Sequence, residues 1–245
     1  MALHVMGIGE GDEVITSAYT YTASASVIAH VDAKIVLIDT QKSSLEMDYD
    51  ALEAAITEDT ALVSIMFANN EVGTINDIAD IGALCHSKGV LFHTDAVQAF
   101  GHVPVDVKAM HIDILSLSGH KINAPKGVGA IYIRKGVMLT PVITGGGQEK
   151  GLRSGTENLP GIIAFGKAAE EGKAEFDAAC KGMRAIRDRI KAELADHEKI
   201  SFNEAKNPSC HILSMTVRSL RSEILLHMLS EKEVFVSSGS ACSSH

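Results

Sequence analysis

Residues 112–131 read IDILSLSGHKINAPKGVGAI. The apolar run 112–117 has the composition of a buried β-strand. It ends in Ser118-Gly119-His120-Lys121. A Gly-containing loop follows, and a second apolar run covers 130–133. A lysine at a strand end, flanked by a hydroxyl and an imidazole, suits a Schiff-base lysine beside a phosphate. The plain alternative is a surface His-Lys pair in a turn.

Upstream, the same pattern repeats. Residues 90–98, VLFHTDAVQ, place Asp95 just after an apolar strand, where open α/β sheets carry their ligand groups. A carboxylate there can hold a pyridine nitrogen protonated, or it can simply cap the next helix. Residues 67–73, FANNEVG, follow the apolar strand 62–67 and present side-chain amides at the sheet edge. Their alternative reading is a polar turn closed by Gly73. Asn70, Asp95 and Lys121 thus succeed one another by roughly one βα unit.

Further strands are expected at 13–17 and 34–39, and helices at 50–55 and 75–88. The first helix is predicted from an Asp50/Glu53 capping-box spacing, with Leu52, Ala55 and Ile56 on one face. Gly89 ends the second. Continuous apolar strands separated by helices predict an α/β fold, a mostly parallel sheet covered on both faces. From about residue 158 the pattern changes: a long helix rich in Ala, Glu, Lys and Arg to about 197, a strand at 210–217, a helix at 220–230 and a strand at 233–236. The reading is a large domain over 1–157 and a partial small α+β domain over 158–245.

Composition narrows the class. Of 245 residues, 31 are acidic and 22 are Lys or Arg, giving a net charge of −9. No basic cluster is present to meet a phosphate backbone, so a nucleic-acid partner is not expected. No run approaches the roughly 20 apolar residues that span a bilayer, and residues 1–12 do not read as a signal peptide. The four cysteines (85, 180, 210 and 242) form no CxxC pair, which fits free thiols and a cytoplasmic enzyme. Cys85, Cys180 and Cys210 read as packing residues. The histidines outside the two motifs, His102 and His211 among them, show no metal-ligand spacing and receive no role; no metal site is expected.

The ordered motifs resemble pyridoxal 5′-phosphate (PLP) enzymes of fold type I, class V, and within them the cysteine desulfurases. NNEVG, the His93/Asp95/Gln98 pattern and SGHK carry the resemblance, as do GGGQEKGLRSGTEN over 145–158 and SSGSACSS around Cys242. It covers about residues 61–245. The resemblance implies that Lys121 carries PLP and later moves protons. It also implies that Asp95 pairs with the ring nitrogen and that Gln98 bonds the ring's phenolate oxygen. Ser118 and His120 would hold the phosphate. Asn70 would lie near the ring oxygen and the substrate carboxylate. Thr156 would reach the phosphate of a partner subunit in a homodimer. Cys242 would take sulfur from L-cysteine as a persulfide, releasing alanine, and pass it to an acceptor or scaffold protein for iron–sulfur cluster or thio-cofactor assembly.

Residues 7–60 instead resemble PLP-dependent sugar aminotransferases, and there Tyr21 would stack on the ring. The desulfurase pattern also implies an upstream phosphate-binding loop and a downstream substrate-binding arginine. The chain therefore reads as truncated at both ends, with weak PLP affinity and low turnover expected. Three readings stay open at this point: a desulfurase, an aminotransferase, and an inactive remnant pairing with an intact subunit.

Overall fold

The computed structural model describes residues 2–42, 44–141 and 143–239. A six-stranded sheet organises the chain, in the order β2-β1-β3-β4-β5-β6. The strands are β1 Glu13–Ser17, β2 Lys34–Ile38, β3 Thr60–Met66, β4 Leu91–Asp95, β5 Ile114–Ser118 and β6 Gly129–Ile133. All neighbours are parallel except β5 and β6, which run antiparallel. The fold is therefore the mostly parallel α/β sheet that the apolar runs predict.

Both faces are covered. Ile15, Val63, Ile65, Phe92 and Leu115 face one way and pack with Leu52 of α3 (Tyr49–Ala55) and with Ile78, Ile81 and Cys85 of α4 (Ile78–Lys88). On the opposite face Val14 and Leu62 meet Leu3 of α1 (Ala2–Val5), Ile28 of α2 (Ala23–Ala29) and Val31. Each fully buried aliphatic side chain is worth about 1.5–3 kcal/mol, so these layers dominate the stability of the sheet. Burial pushes the Cys85 thiol up to about 12, which leaves it an inert packing group.

Local chemistry sets the helix ends. α3 starts two residues before the predicted capping box: Asp48, not Asp50, is the N-cap, and its carboxylate accepts from Ala51 N at 3.0 Å. α4 begins at Ile78 rather than Ile75 because Asp77 caps it, and it ends where Gly89 turns left-handed at φ 72°.

The long helix α5 spans Leu159–Leu194, capped by Asn158, whose side chain accepts from Gly161 N at 3.2 Å. Two short strands, β7 (Ile200–Phe202) and β8 (Met215–Val217), pair antiparallel, and α6 (Ser222–Ser230) follows. The strand expected over 210–217 is only its last three residues. Residues 210–214 instead run as loop, with Cys210 buried against α5. Residues 233–236 are not a strand: Val234, Phe235 and Val236 are exposed and pair with no neighbour in a sheet. An apolar run alone does not make a strand where no partner offers its backbone. No helix among the described residues is long and apolar enough to cross a membrane.

Candidate functional site

The chain leaves β1 outward to β2 and crosses back to β3 on the other side, so the sheet reverses its order between β1 and β3. Ligands of open α/β sheets bind at the carboxyl ends of the strands, beside such a reversal. Every sheet-edge residue singled out from the sequence falls there. Tyr21 follows β1, Asn70 follows β3, Asp95 ends β4, Gln98 follows it, and Ser118 ends β5.

Register brings the members of β3, β4 and β5 onto one face. Ser64 lies beside His93, Met66 beside Asp95, and Asp95 beside Ser116. His93 hydrogen-bonds Ser64 through Nδ1 at 2.8 Å and Ser116 through Nε2 at 3.0 Å, so one imidazole ties three strands together. Burial pulls its pKa down to about 4. Two residues on, Asp95 shares that face. Its carboxylate accepts from Val97 N at 2.9 Å and has no ion pair among the described residues. Burial raises its pKa. A carboxylate so placed has one backbone N–H partner and no cationic one among the described residues.

The lysine turn is built by packing. Residues Gly119–Ile122 form a 3-10 turn closed by Asn123 in the left-handed region at φ 66°, and α5 packs against this turn. A Cβ on Gly119 would meet Val128 Cγ1 at 3.0 Å and Ala124 Cβ at 3.1 Å, so only glycine lets the following loop fold over it. Ser118 Oγ and His120 Nδ1 lie 2.6 Å apart. His120 and Lys121 are exposed, and Lys121 forms no ion pair among the described residues.

On the β3 side, Asn69 is the structural amide: its Oδ1 accepts from Glu71 N at 2.8 Å and Val72 N at 3.0 Å. That leaves Asn70 as the amide available for other contacts. Asn70 and Tyr19 line an open cleft of about 890 Å³ together with Met215, Leu226, Phe235 and His211. Asp95, Ser118, His120 and Lys121 do not line it, so the cleft adjoins their edge without enclosing it. Tyr21 is 42% exposed, precedes α2 and also lies off the cleft. Thr156 is exposed in the loop before α5 and bonds none of these side chains. Cys242 lies outside the described residues.

The structure adds contacts that no short motif could show. Segment 207–212 is held against the β3 loop, with Ser209 N donating to Gly73 O at 2.7 Å and Ile75 N to Asn207 O at 2.9 Å. Arg187 Nη1 of α5 donates to Ser209 O at 2.7 Å. His211 thereby reaches Gln98, and Cys210 lies 3.3 Å from Cys180. Cys180 and Cys210 are indeed buried, but as a pair rather than as separate packing residues. Of these residues Gln98 was singled out in sequence, by the pattern it forms with His93 and Asp95; His211, Arg187 and Ser209 carried no such signal.

The chain matches the aminotransferase class-V family model over residues 1–245. It is 41% identical over 239 residues to the cysteine desulfurase IscS of Methanosarcina thermophila, which covers 96% of this chain and 59% of that protein. Among solved structures it is similar to a NifS-like protein, with a TM-score of 0.88 and 35% identity over 93% of this chain and 63% of that one. It is also similar to SspA in complex with cysteine, with a TM-score of 0.77 and 32% identity over 98% of this chain and 67% of that one. The chain belongs to the aminotransferase class-V family, and its sheet is the fold of the NifS-like PLP enzymes. It spans about three fifths of the length of the curated relatives it matches.

The cofactor of this family is PLP, and the donor set fits it. Asp95 is a half-buried carboxyl that lacks a cationic partner among the described residues, matched to a protonated ring nitrogen. Ser118, His120 and Lys121 cluster hydroxyl, imidazole and ammonium groups at the next strand end, as a phosphate and an aldehyde require.

Proposed function

We propose that the chain carries the site of a PLP-dependent cysteine desulfurase, which takes sulfur from L-cysteine and leaves L-alanine. The observation that carries this reading is the half-buried Asp95 carboxylate, which lacks a cationic partner among the described residues and sits one strand from the Lys121 turn at the carboxyl edge of the sheet. The curated relatives are named cysteine desulfurases, and SspA is described in complex with cysteine.

When bound, PLP supplies an electron sink for an amino acid joined to it. Lys121 Nζ would hold the cofactor and would move protons at the substrate. Asp95 keeps the ring nitrogen charged, Gln98 donates to the ring oxygen, and Ser118 and His120 hold the phosphate. Asn70 would lie near the ring oxygen and the substrate carboxylate, Tyr21 would stack on the ring, and Thr156 would reach the phosphate of a second copy in a homodimer. Cys242 accepts the sulfur and hands it to an acceptor or scaffold protein of iron–sulfur or thio-cofactor assembly in the cytoplasm. The boundary between the large and small units falls near residue 157.

The test adds PLP to the purified chain and then L-cysteine with an excess of a dithiol reductant, which returns the persulfide sulfur as sulfide. A visible band that is lost in Lys121→Ala, and alanine and sulfide release lost in Cys242→Ala with the band intact, are the expected results. No band in the wild-type chain sinks the proposal. A band with amino-group transfer to a 2-oxo acid and no alanine or sulfide release, unchanged in Cys242→Ala, favours the aminotransferase reading drawn from residues 7–60.

A further inference from the structure

We propose that His211 is a positioning residue that fixes the amide of Gln98, so that its NH2 end is the one offered at the carboxyl edge of the sheet. The inference rests on the PLP reading above for its purpose, and on geometry alone for the pairing. His211 Nε2 lies 3.3 Å from Gln98 Oε1. A carbonyl oxygen only accepts, so Nε2 carries the proton and Nδ1 is bare. Nδ1 of His211 is buried and has no hydrogen-bond partner among the described residues. A second proton would place an N–H there with nothing to receive it, a cost that keeps the ring neutral and the tautomer fixed. Burial and the neighbouring His102 and Lys121 act in the same direction and lower the pKa of His211 to about 4.

The ring is also held from its face and from behind. It stacks on His102 with centroids 3.8 Å apart and an interplanar angle of 25°. Its neighbour Cys210 donates to His102 O at 3.6 Å and lies 3.3 Å from Cys180 of α5. On the other side Ile212 seats where Gly73 has no side chain: a Cβ there would meet Ile212 Cβ at 3.0 Å. With both ring position and tautomer set, the carbonyl end of Gln98 is engaged, and its NH2 donates to no other side chain among the described residues. An unanchored glutamine turns its amide either way at little cost. A phenolate oxygen needs the donor end, so His211 removes the wrong orientation before the cofactor arrives.

Two variants separate positioning from packing. His211→Phe keeps a ring to stack on His102 and loses the donor; His211→Gln keeps a donor and loses the ring. PLP dissociation and the position of the visible band are read for both beside Gln98→Ala. The expected result is about fivefold weaker PLP binding in His211→Phe, with the band displaced as in Gln98→Ala, and a value within about twofold of wild type in His211→Gln. The reverse order, Phe tolerated and Gln damaging, overturns the proposal in favour of simple packing. Denaturant unfolding of the cofactor-free chain is measured for His211→Phe, Gln98→Ala and the double variant. Non-additivity of about three- to tenfold in the unfolding constant is expected, and additive effects overturn the pairing whatever PLP does. A wild-type chain that takes up no PLP defeats the functional reading and the purpose given to the pair, while the unfolding cycle still judges the contact itself.

Discussion

The imidazole of His93 makes the folded chain sensitive to acid by a predictable amount. Buried between Ser64 and Ser116, it titrates at about 4, against an ordinary value of 6.5. The folded state therefore binds this proton less readily than the unfolded chain does. Its contribution to stability is complete above pH 6.5 and is lost as pH falls toward 4. A separation of that size is worth about 3.4 kcal/mol in full, and about 2.5 kcal/mol between pH 7.5 and pH 4.5. The perturbation is His93→Gln, which removes the titrating group and keeps a polar side chain between the two hydroxyls. The assay is urea unfolding of the wild type and the variant at both pH values. Other groups titrate in the same window: His211 and His102 with the same sign, Asp95 with the opposite sign. They are present in both proteins and cancel in the comparison. The wild type is expected to lose about 2.5 kcal/mol more than the variant on acidification, a difference of about 1 M in urea midpoint. Equal losses in the two proteins, within about 0.5 kcal/mol, would refute the burial argument.

Asp95→Asn is expected to pull function and stability apart. Burial raises the carboxyl's pKa, so its contribution is present at low pH and is lost as pH rises through the folded value. The amide variant without cofactor should therefore be at least as stable as wild type at pH 7.5 by urea midpoint, while its PLP affinity falls by about tenfold or more. Gly119→Ala should cost about 1–3 kcal/mol in unfolding free energy, because the new methyl meets Val128 and Ala124 at 3.0–3.1 Å. An unchanged midpoint would show that the lysine turn relaxes freely.

The parts of the fold legible in sequence were those decided by local chemistry and by burial on both faces. The runs at 13–17, 62–67 and 112–117 are apolar because helices cover the sheet on both sides, and each marks its strand to within two or three residues. Gly89 announced the end of α4 because only a left-handed residue can close it there. Competition between neighbours was less legible. Asp48 and Asp50 are equally good caps in isolation, and the chain's approach to α3 selects the first. Residues 233–236 carry an apolar pattern that calls for a strand, yet a strand depends on a partner's backbone, which the run itself cannot announce. The site divides in the same way. Asn70, Asp95, Ser118 and Lys121 lie at strand ends, so the alternation of strand and helix located them. His211 and Gln98 are 113 residues apart, and no periodicity connects them.

That separation bears on how the edge is assembled. Asp95 and Lys121 are positioned by sheet register and by the turn over Gly119, contacts local to β4, β5 and the following loop. Gln98 stands one helical turn beyond the strand, where register no longer constrains it, and it is the member of the set that borrows a partner from the far end of the chain. The segment carrying His211 is fastened by Ser209 to Gly73, by Arg187 to Ser209 O and by Cys210 to Cys180, so three separate contacts stand behind one 3.3 Å hydrogen bond. This anchoring makes the orientation of Gln98 depend on docking of the 203–215 segment. Loosening that segment, for instance by Arg187→Ala, should lower PLP affinity through Gln98 while leaving the sheet intact, and it should add nothing to the effect of Gln98→Ala. An effect of Arg187→Ala that persists in full on the Gln98→Ala background would show that the segment acts on the site by some other contact.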